Sequence, residues 1–271
     1  MLISIITDLS SSGIGLIFVI GSVVFSLLGL FIFKKTTEKE HIKRSSESFV
    51  ALVSIIAILY AVLLAFIVVV AWENYDNSGN NVDDEANSIS TVFRDAGLLK
   101  DTVKGRSLQK NLLQYDELIA TKEWKTMEKG DMYMGHKIHA AKEIFPVIRS
   151  MMKILKEYET EDTKDDAVFS DLLQNYNKMQ ECRRIRLLNA GKEIPVLLWL
   201  VILAGTVITL IFTFFFHFEN FLTKAIFTSL IAVMMALTMF LIYYLNHPFN
   251  DKGVTPEPFE INKTIFSNSL K

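Results

Sequence analysis

The chain has 271 residues, of which 51% are hydrophobic and 21% are charged, and its formal net charge is −2. This charged fraction is usual for a soluble protein and high for one embedded entirely in a membrane, so the charges must be segregated from the apolar residues. The small net charge and the lack of a basic arm argue against bulk attraction to nucleic acid, and the single cysteine, Cys182, excludes an internal disulfide and a multi-cysteine metal site.

Four apolar runs are long enough to cross a bilayer as helices, and none contains Asp, Glu, Lys or Arg. A hydrocarbon core about 30 Å thick needs roughly 20 apolar residues in a helix. The predicted spans are 13–33, 50–72, 195–216 and 225–245. Four such runs would be exceptional in one soluble domain. The sequence therefore predicts an all-α fold in which four transmembrane helices form two hairpins, 1–72 and 195–245.

Basic residues flank the first hairpin unequally. Its turn carries five of them, whereas the N-terminal segment has none. The positive-inside rule then predicts that this turn lies in the cytoplasm and that the chain after the second span lies outside it. The basic stretch KMQECRRIRLLNAGK before the third span has the opposite preference.

Residues 73–194 separate the two hairpins, and a connection of about 120 residues is a domain rather than a loop. Apolar residues recur there at spacings of three and four, which predicts helices throughout. One helix is expected from near Met132 to Tyr158, with a kink at Pro146, and another from Asp165 to Ala190. The remaining residues, 246–271, are expected to be a C-terminal tail.

The second span runs directly into polar sequence. If one helix continues past Trp72, then Glu73, Asp76 and Asp83 fall on one face, because their spacings are three and seven. The same face continues backward into the span as an apolar line. A break at Gly79 would displace Asp83 from this face. The simplest interpretation of the acidic residues is a helix surface that faces water.

A functional interpretation is that several copies of this helix surround an axis and form a pore. An apolar constriction in a pore gates by dewetting, and a ring of carboxylates at its mouth concentrates cations. In this hypothesis the constriction is formed by Val62, Phe66 and Val69, and the acidic mouth by Glu73, Asp76, Asp83 and Asp84.

Motifs for enzymatic chemistry are not found in the sequence. There is no nucleotide-binding loop, nucleophile elbow or zinc-protease motif. His136 and His139, with Glu143, have the spacing of metal ligands on a helix, but no fourth ligand is evident and a solvated helix face is the simpler interpretation. The spans also lack the ionisable residues of a proton relay. The chain is therefore predicted not to be an enzyme, and no cofactor is predicted.

Several stretches resemble the bestrophin-like family of bacterial membrane proteins. They are WENYD followed by EANSI, the EW pair at Glu123–Trp124, RRIRLLNAGKEIP, and NHPFNDKGVTPEPFE. The resemblance covers about 52–260, in the same order as in the family. The positions that match the family motifs include Trp72, Glu73, Tyr75, Asp76, Glu85, Asn87, Arg94, Pro248 and Phe249.

The resemblance implies kinship with bestrophins, which are pentameric anion channels whose second span lines the pore. It implies a multi-pass protein of the bacterial inner membrane that forms a homo-oligomer and passes small ions. Two features depart from that pattern: the charge bias places the large domain outside the cytoplasm, and the acidic exit of the second span favours cations. The alternative is a non-conducting protein whose spans anchor a sensing or partner-binding domain.

Overall fold

The computed structural model describes residues 11–37, 47–128, 133–134, 137–138, 142–192, 194–216 and 218–271. The described chain is almost entirely helical, which confirms the all-α prediction. In chain order its α-helices are α1 Ser11–Thr37, α2 Glu47–Ala96, α3 Thr102–Leu118, α4 Trp124–Glu128, α5 Ile144–Lys156, α6 Thr163–Ala190, α7 Val196–Phe215, α8 Phe221–Leu245 and α9 Glu257–Ser269. A π-helix, Ile119–Glu123, joins α3 to α4.

Two compact units make up the chain. The membrane unit comprises Met1–Glu73 and Glu193–Asn246, and the extramembrane unit comprises Asn74–Lys192 and His247–Lys271. Four helices are long and apolar enough to cross a membrane, which confirms the four predicted spans. They contain Ser12–Thr36, Phe49–Ala96, Val196–Phe215 and Phe221–Leu245. The fourth helix begins at Phe221, four residues before the predicted span, and so includes Lys224.

Helices of the membrane unit are joined by close packing against a glycine and by hydrogen bonds of hydroxyl groups. The Tyr60 hydroxyl donates to the Ile202 carbonyl at 2.6 Å and lies 2.8 Å from the Thr206 hydroxyl. Gly205 makes room for the Tyr60 ring, because a Cβ atom on this glycine would lie 2.1 Å from a ring carbon. Small residues and interhelical hydrogen bonds of this kind replace the hydrophobic driving force that is missing between helices in lipid.

The extramembrane unit contains the largest apolar core of the described chain, built from α2, α3, α5, α6 and α9. Its helix predicted from near Met132 begins instead at Ile144 and ends at Lys156. Pro146 lies in the first turn of α5, where the backbone N–H groups have no partner within the helix. Its missing N–H therefore costs nothing there, and the proline does not kink the helix. Two short antiparallel strands, β1 Tyr133–Met134 and β2 Lys137–Ile138, precede this helix.

The C-terminal segment is folded into the extramembrane unit rather than free. The Phe266 ring on α9 stacks on Phe93 of α2, with ring centroids 3.9 Å apart and planes at 2°. The Asn262 side chain donates to the Ala86 carbonyl at 2.8 Å. Lys263 lies 2.9 Å from the Glu117 carboxylate on α3. These contacts fix α9 across α2 and α3.

Candidate functional site

Helix α2 is continuous through Gly79, so the acidic positions keep the helical register that the sequence predicts. It extends without interruption from Glu47 to Ala96. Beside the glycine, the Ser78 hydroxyl donates to the Asn74 carbonyl four residues earlier at 2.7 Å, a bond within the helix. A Cβ atom on Gly79 would meet only the Val254 side chain, at 3.8 Å.

Within the membrane unit, one face of α2 packs inward and the opposite face is exposed. Leu64 and Tyr60 are buried, with 8% and 9% of their surface accessible. Residues two apart on an α-helix differ by about 200° in direction, so Val62 and Phe66 point away from the helices that Leu64 contacts. Their exposed fractions are 49% and 69%, and that of Val69 is 53%. The proposed constriction residues therefore share a face that no other part of the described chain covers.

The proposed acidic residues differ in their surroundings. Glu73, Asp76 and Asp83 are exposed, and the Asp76 carboxylate accepts a hydrogen bond from Asn80 at 3.0 Å. The Glu73 and Asp83 carboxylates form no hydrogen bond or ion pair with any residue that the structure describes. The Asp84 carboxylate instead lies 3.6 Å from the Lys178 ammonium on α6. Asp84 is thus partly neutralised and directed towards α6, whereas the other three face outward.

Glu85, adjacent to this surface in sequence, lies at the centre of a buried ion-pair cluster in the extramembrane unit. Arg186 on α6 donates to both Glu85 carboxylate oxygens, through Nε at 2.7 Å and Nη2 at 3.1 Å. The Tyr115 hydroxyl donates to Glu85 at 3.1 Å. Arg186 also donates to Glu123 at 2.8 Å, and Arg183 donates to the other oxygen of Glu123. Both carboxylates and the Arg186 guanidinium are inaccessible to solvent.

The charges of this cluster balance, with two guanidinium groups against two carboxylates. Burial alone would raise the pKa of Glu123, but the adjacent Arg186 and Arg183 outweigh it and hold that pKa below its usual value. Burial would lower the pKa of Arg186, but Glu85 and Glu123 raise it above the ordinary arginine value. Glu123 and Arg186 therefore remain charged inside the core, because each has opposite charges beside it that replace the lost solvation.

The π-helix positions Glu123 and Trp124 in this cluster. A π-helix has a wider turn than an α-helix and is frequent at functional sites. Here it precedes two consecutive buried residues, Glu123 at 0% and Trp124 at 2% exposure. The Trp124 ring packs edge-on against Phe249 at 5.4 Å and contacts Phe259 at 6.2 Å. The Arg186 guanidinium also lies over the Phe259 ring, 5.6 Å from its centroid.

Four of the sequence motifs that resemble the family therefore contact one another in the folded chain. EANSI supplies Glu85, EW supplies Glu123 and Trp124, RRIRLLNAGKEIP supplies both arginines, and the C-terminal motif supplies Phe249 and Phe259. Sequence reasoning identified the motifs but not this cluster. A signal was present, because Glu85 interrupts the apolar stripe of Val82 and Ile89 on the packed face of α2.

Asp116 is a second buried carboxyl group in the extramembrane unit, and it stands outside the cluster. Its side chain is fully buried, and neither carboxyl oxygen has a hydrogen-bond partner in the described chain. Burial, and to a lesser degree the negative charge of Glu85, raises the pKa of Asp116 well above its usual value. We therefore expect Asp116 to be protonated at pH values where surface aspartates are charged.

The other motif residues have separate environments. Arg94 forms an ion pair with the neighbouring Asp95 at 3.1 Å, and the Pro248 carbonyl accepts a hydrogen bond from the Val254 amide at 2.8 Å. Trp72 and Asn87 are exposed on α2, and Tyr75 is half-buried there. His136 and His139 lie outside the described residues. Within the described ranges, no group of three or more His, Cys, Asp or Glu side chains is arranged to hold a metal ion.

Comparisons with known proteins identify the family and the fold. The family model named bestrophin-like domain matches residues 20–259 of the sequence. A crystal structure of a bacterial bestrophin homologue from Klebsiella pneumoniae, carrying one substitution, aligns with a TM-score of 0.67 at 12% identity and covers 94% of this chain and 97% of that chain. The same homologue, solved by zinc SAD phasing, aligns with a TM-score of 0.64 at 12% identity, covering 94% and 96%. No curated protein sequence matches this chain. At such identity the structural likeness shows a shared fold.

Proposed function

The chain belongs to the bestrophin-like family of integral membrane proteins, and from that premise we propose that it forms a homo-oligomeric ion channel, most simply a pentamer, whose pore is lined by α2. The observation that carries this proposal is the exposed line of Val62, Phe66 and Val69 on a helix whose opposite face is packed. A helix that lines a pore must present one face to an axis and the other to its own subunit. Helix α2 has this division along its membrane-spanning part.

In this proposal the apolar line is the constriction. Three aliphatic or aromatic side chains per subunit, repeated around an axis, leave no polar atom to replace the hydration shell of an ion. Such a segment blocks conduction when it dewets and conducts when it widens. Phe66 is the largest of the three side chains and the most exposed, at 69%, so it is assigned the narrowest point.

The acidic mouth follows on the same helix. Glu73, Asp76 and Asp83 are exposed, and carboxylate rings of this kind attract cations and repel anions. Asp84 is assigned a weaker part, because Lys178 offsets its charge. The residue chemistry therefore favours cations as the permeant ions, in contrast to the anions expected from kinship with bestrophins. The extramembrane unit is proposed to lie outside the cytoplasm, on the positive-inside rule.

A groove beside this face supports close association of several copies. It has a volume of about 510 Å³ and is lined almost entirely by apolar atoms of α2, α7 and α8. On α2 it is bordered by Ala57, Ala61 and Ala65, which recur every four residues and so share one flank of the helix. Small residues at such spacing allow helices to approach closely in a bilayer.

Ion flux through reconstituted protein tests the proposal. Phe66→Ser is expected to hydrate the constriction and increase flux severalfold. Phe31→Ser is the matched control, because Phe31 is a similarly exposed phenylalanine, at 61%, on α1. We expect this control to leave flux at the wild-type level.

Two results would contradict the proposal. One is the absence of flux from liposomes that contain intact oligomers. The other is an equal response to Phe66→Ser and Phe31→Ser, which would show that Phe66 does not line a pore. A monomer whose α2 faces lipid would favour the alternative, in which the spans only anchor the extramembrane unit.

A further inference from the structure

One end of the membrane unit is built from phenylalanine rings. Here α1 and α7 end while α8 begins. The Phe33 ring on α1 lies 4.9 Å from Phe215 and 5.9 Å from Phe214 on α7. Phe218, in the connection between α7 and α8, stacks on Phe227 at 5.6 Å. These contacts hold the three helix ends against one another at the boundary of the apolar spans.

Two lysines are held in reciprocal fashion within this aromatic cluster. The Lys34 ammonium on α1 lies 4.8 Å from the centroid of the Phe221 ring on α8. The Lys224 ammonium on α8 lies 5.7 Å from the centroid of the Phe33 ring on α1. Each helix therefore offers its lysine to a ring of the other helix. Cation–π contacts of this kind orient an ammonium group over the face of the ring.

Lys224 is the less solvated of the pair. It is half-buried in the first turn of a membrane-spanning helix, and its ammonium donates to the Phe214 carbonyl at 2.7 Å. No carboxylate of the described residues lies within salt-bridge distance of it, and the nearest acid in sequence, Glu219, is exposed. Ionisable groups within spans are costly and usually have a functional partner. The Phe214 carbonyl oxygen carries only a partial negative charge, so it compensates the positive charge of the Lys224 ammonium incompletely.

We infer that Lys34 and Lys224 bind the phosphate of an anionic phospholipid at this end of the membrane unit. Both ammonium groups lie where a lipid headgroup meets the hydrocarbon core, and basic pockets between transmembrane helices bind acidic headgroups. The phenylalanine rings around them offer an apolar surface to the glycerol and upper acyl carbons. A zwitterionic lipid carries its own cation, which the two lysines would repel. This inference rests on membrane insertion and not on ion conduction.

Lipid binding to the purified oligomer tests the site. The full-length protein in detergent is titrated with phosphatidylglycerol or with phosphatidylcholine of the same acyl chains, and bound lipid is counted by native mass spectrometry. We expect phosphatidylglycerol to be preferred. Lys224→Met and Lys34→Gln should each weaken its binding roughly fivefold, while Lys224→Arg and Lys34→Arg should retain it.

Lys35→Gln is the matched control, because Lys35 is exposed in the same turn of α1 and has no ring contact among the described residues. It should change binding by less than about twofold, since one exposed charge is largely screened. If Lys224→Met does not fold, comparison of Lys34→Gln with Lys35→Gln decides the question. An equal loss from those two variants, no preference for the anionic lipid, or equal binding of free glycerol phosphate would each overturn the inference.

Discussion

Replacing Arg186 with methionine removes the donor that joins the two buried carboxylates. Its guanidinium makes three hydrogen bonds to Glu85 and Glu123, at 2.7, 3.1 and 2.8 Å, and a fourth to the Met127 sulfur at 3.0 Å. Methionine fills much of the same volume but supplies no charge. Arg183 still contacts Glu123, so Glu85 loses the most. Among the described side chains, Glu85 retains the Tyr115 hydroxyl alone as a hydrogen-bond donor.

The expected cost follows from that count. Removing one member of a buried ion pair typically costs about 3–5 kcal/mol, because the remaining charge stays in the core without a partner. The whole free energy of unfolding of a domain is typically about 5–15 kcal/mol. Arg186→Met should therefore remove a large fraction of the stability of the extramembrane unit. At roughly 2–4 °C per kcal/mol for a unit of this size, its Tm should fall by about 6 °C or more.

The fluorescence of Trp124 reports on this unit, because the indole is buried between Phe249 and Phe259. Thermal unfolding would be followed in detergent with Trp72 and Trp199 replaced by phenylalanine. Arg184→Met is the matched control on the same helix, since Arg184 is exposed and, within the described part of the chain, forms an ion pair with Glu181 alone. An exposed pair of this kind contributes little to stability, because water and salt screen its charges.

A second substitution makes the test sharper. Glu85→Gln added to Arg186→Met removes the stranded charge and should recover part of the lost stability, which a purely steric defect would not allow. If Arg186→Met and Arg184→Met lower the Tm equally, the cluster does not stabilise the unit as argued.

Three further outcomes are expected. Because the pKa of Asp116 is raised in the folded state, its contribution to stability is present at low pH and is lost as the pH rises through that pKa. Asp116→Asn should therefore raise the Tm by an amount that increases towards neutral pH. An unchanged dependence of the Tm on pH would contradict this. Glu73→Gln with Asp76→Asn should shift the reversal potential in asymmetric salt towards that of a non-selective pore, whereas an unaltered potential would remove the acidic mouth from permeation. Gly205→Ala should destabilise the membrane unit, because the added Cβ would clash with the Tyr60 ring. Gly21→Ala should not, because a Cβ there would meet no described neighbouring atom within 4 Å, and loss of helical content on heating compares the two variants.

The four spans and the continuity of α2 are properties that the sequence determined by itself. A run of about 20 apolar residues must form a helix in a bilayer, because every backbone polar group has to be bonded within the segment. The acidic residues after Trp72 keep helical spacing for the same local reason, and Gly79 does not interrupt it. These features depend on neighbours a few residues apart, which a sequence displays directly.

The start of α5 and the docking of α9 were decided by tertiary contacts. A helix from near Met132 is compatible with local propensity, yet the chain forms two short strands and begins the helix at Ile144. The C-terminal segment has no span-like pattern, but Phe266 and Asn262 fix it onto α2. Propensity is a weak guide wherever packing against a distant segment contributes more.

The buried cluster depended most on tertiary structure. Glu85 and Arg186 are 101 residues apart in the chain, and Glu123 and Arg186 are 63 apart. The sequence shows two acids and an arginine pair in separate motifs, each of which could equally face water. Only the packing of α2, the π-helix and α6 around one core brings them together, because a buried charge is tolerable solely where an opposite charge meets it.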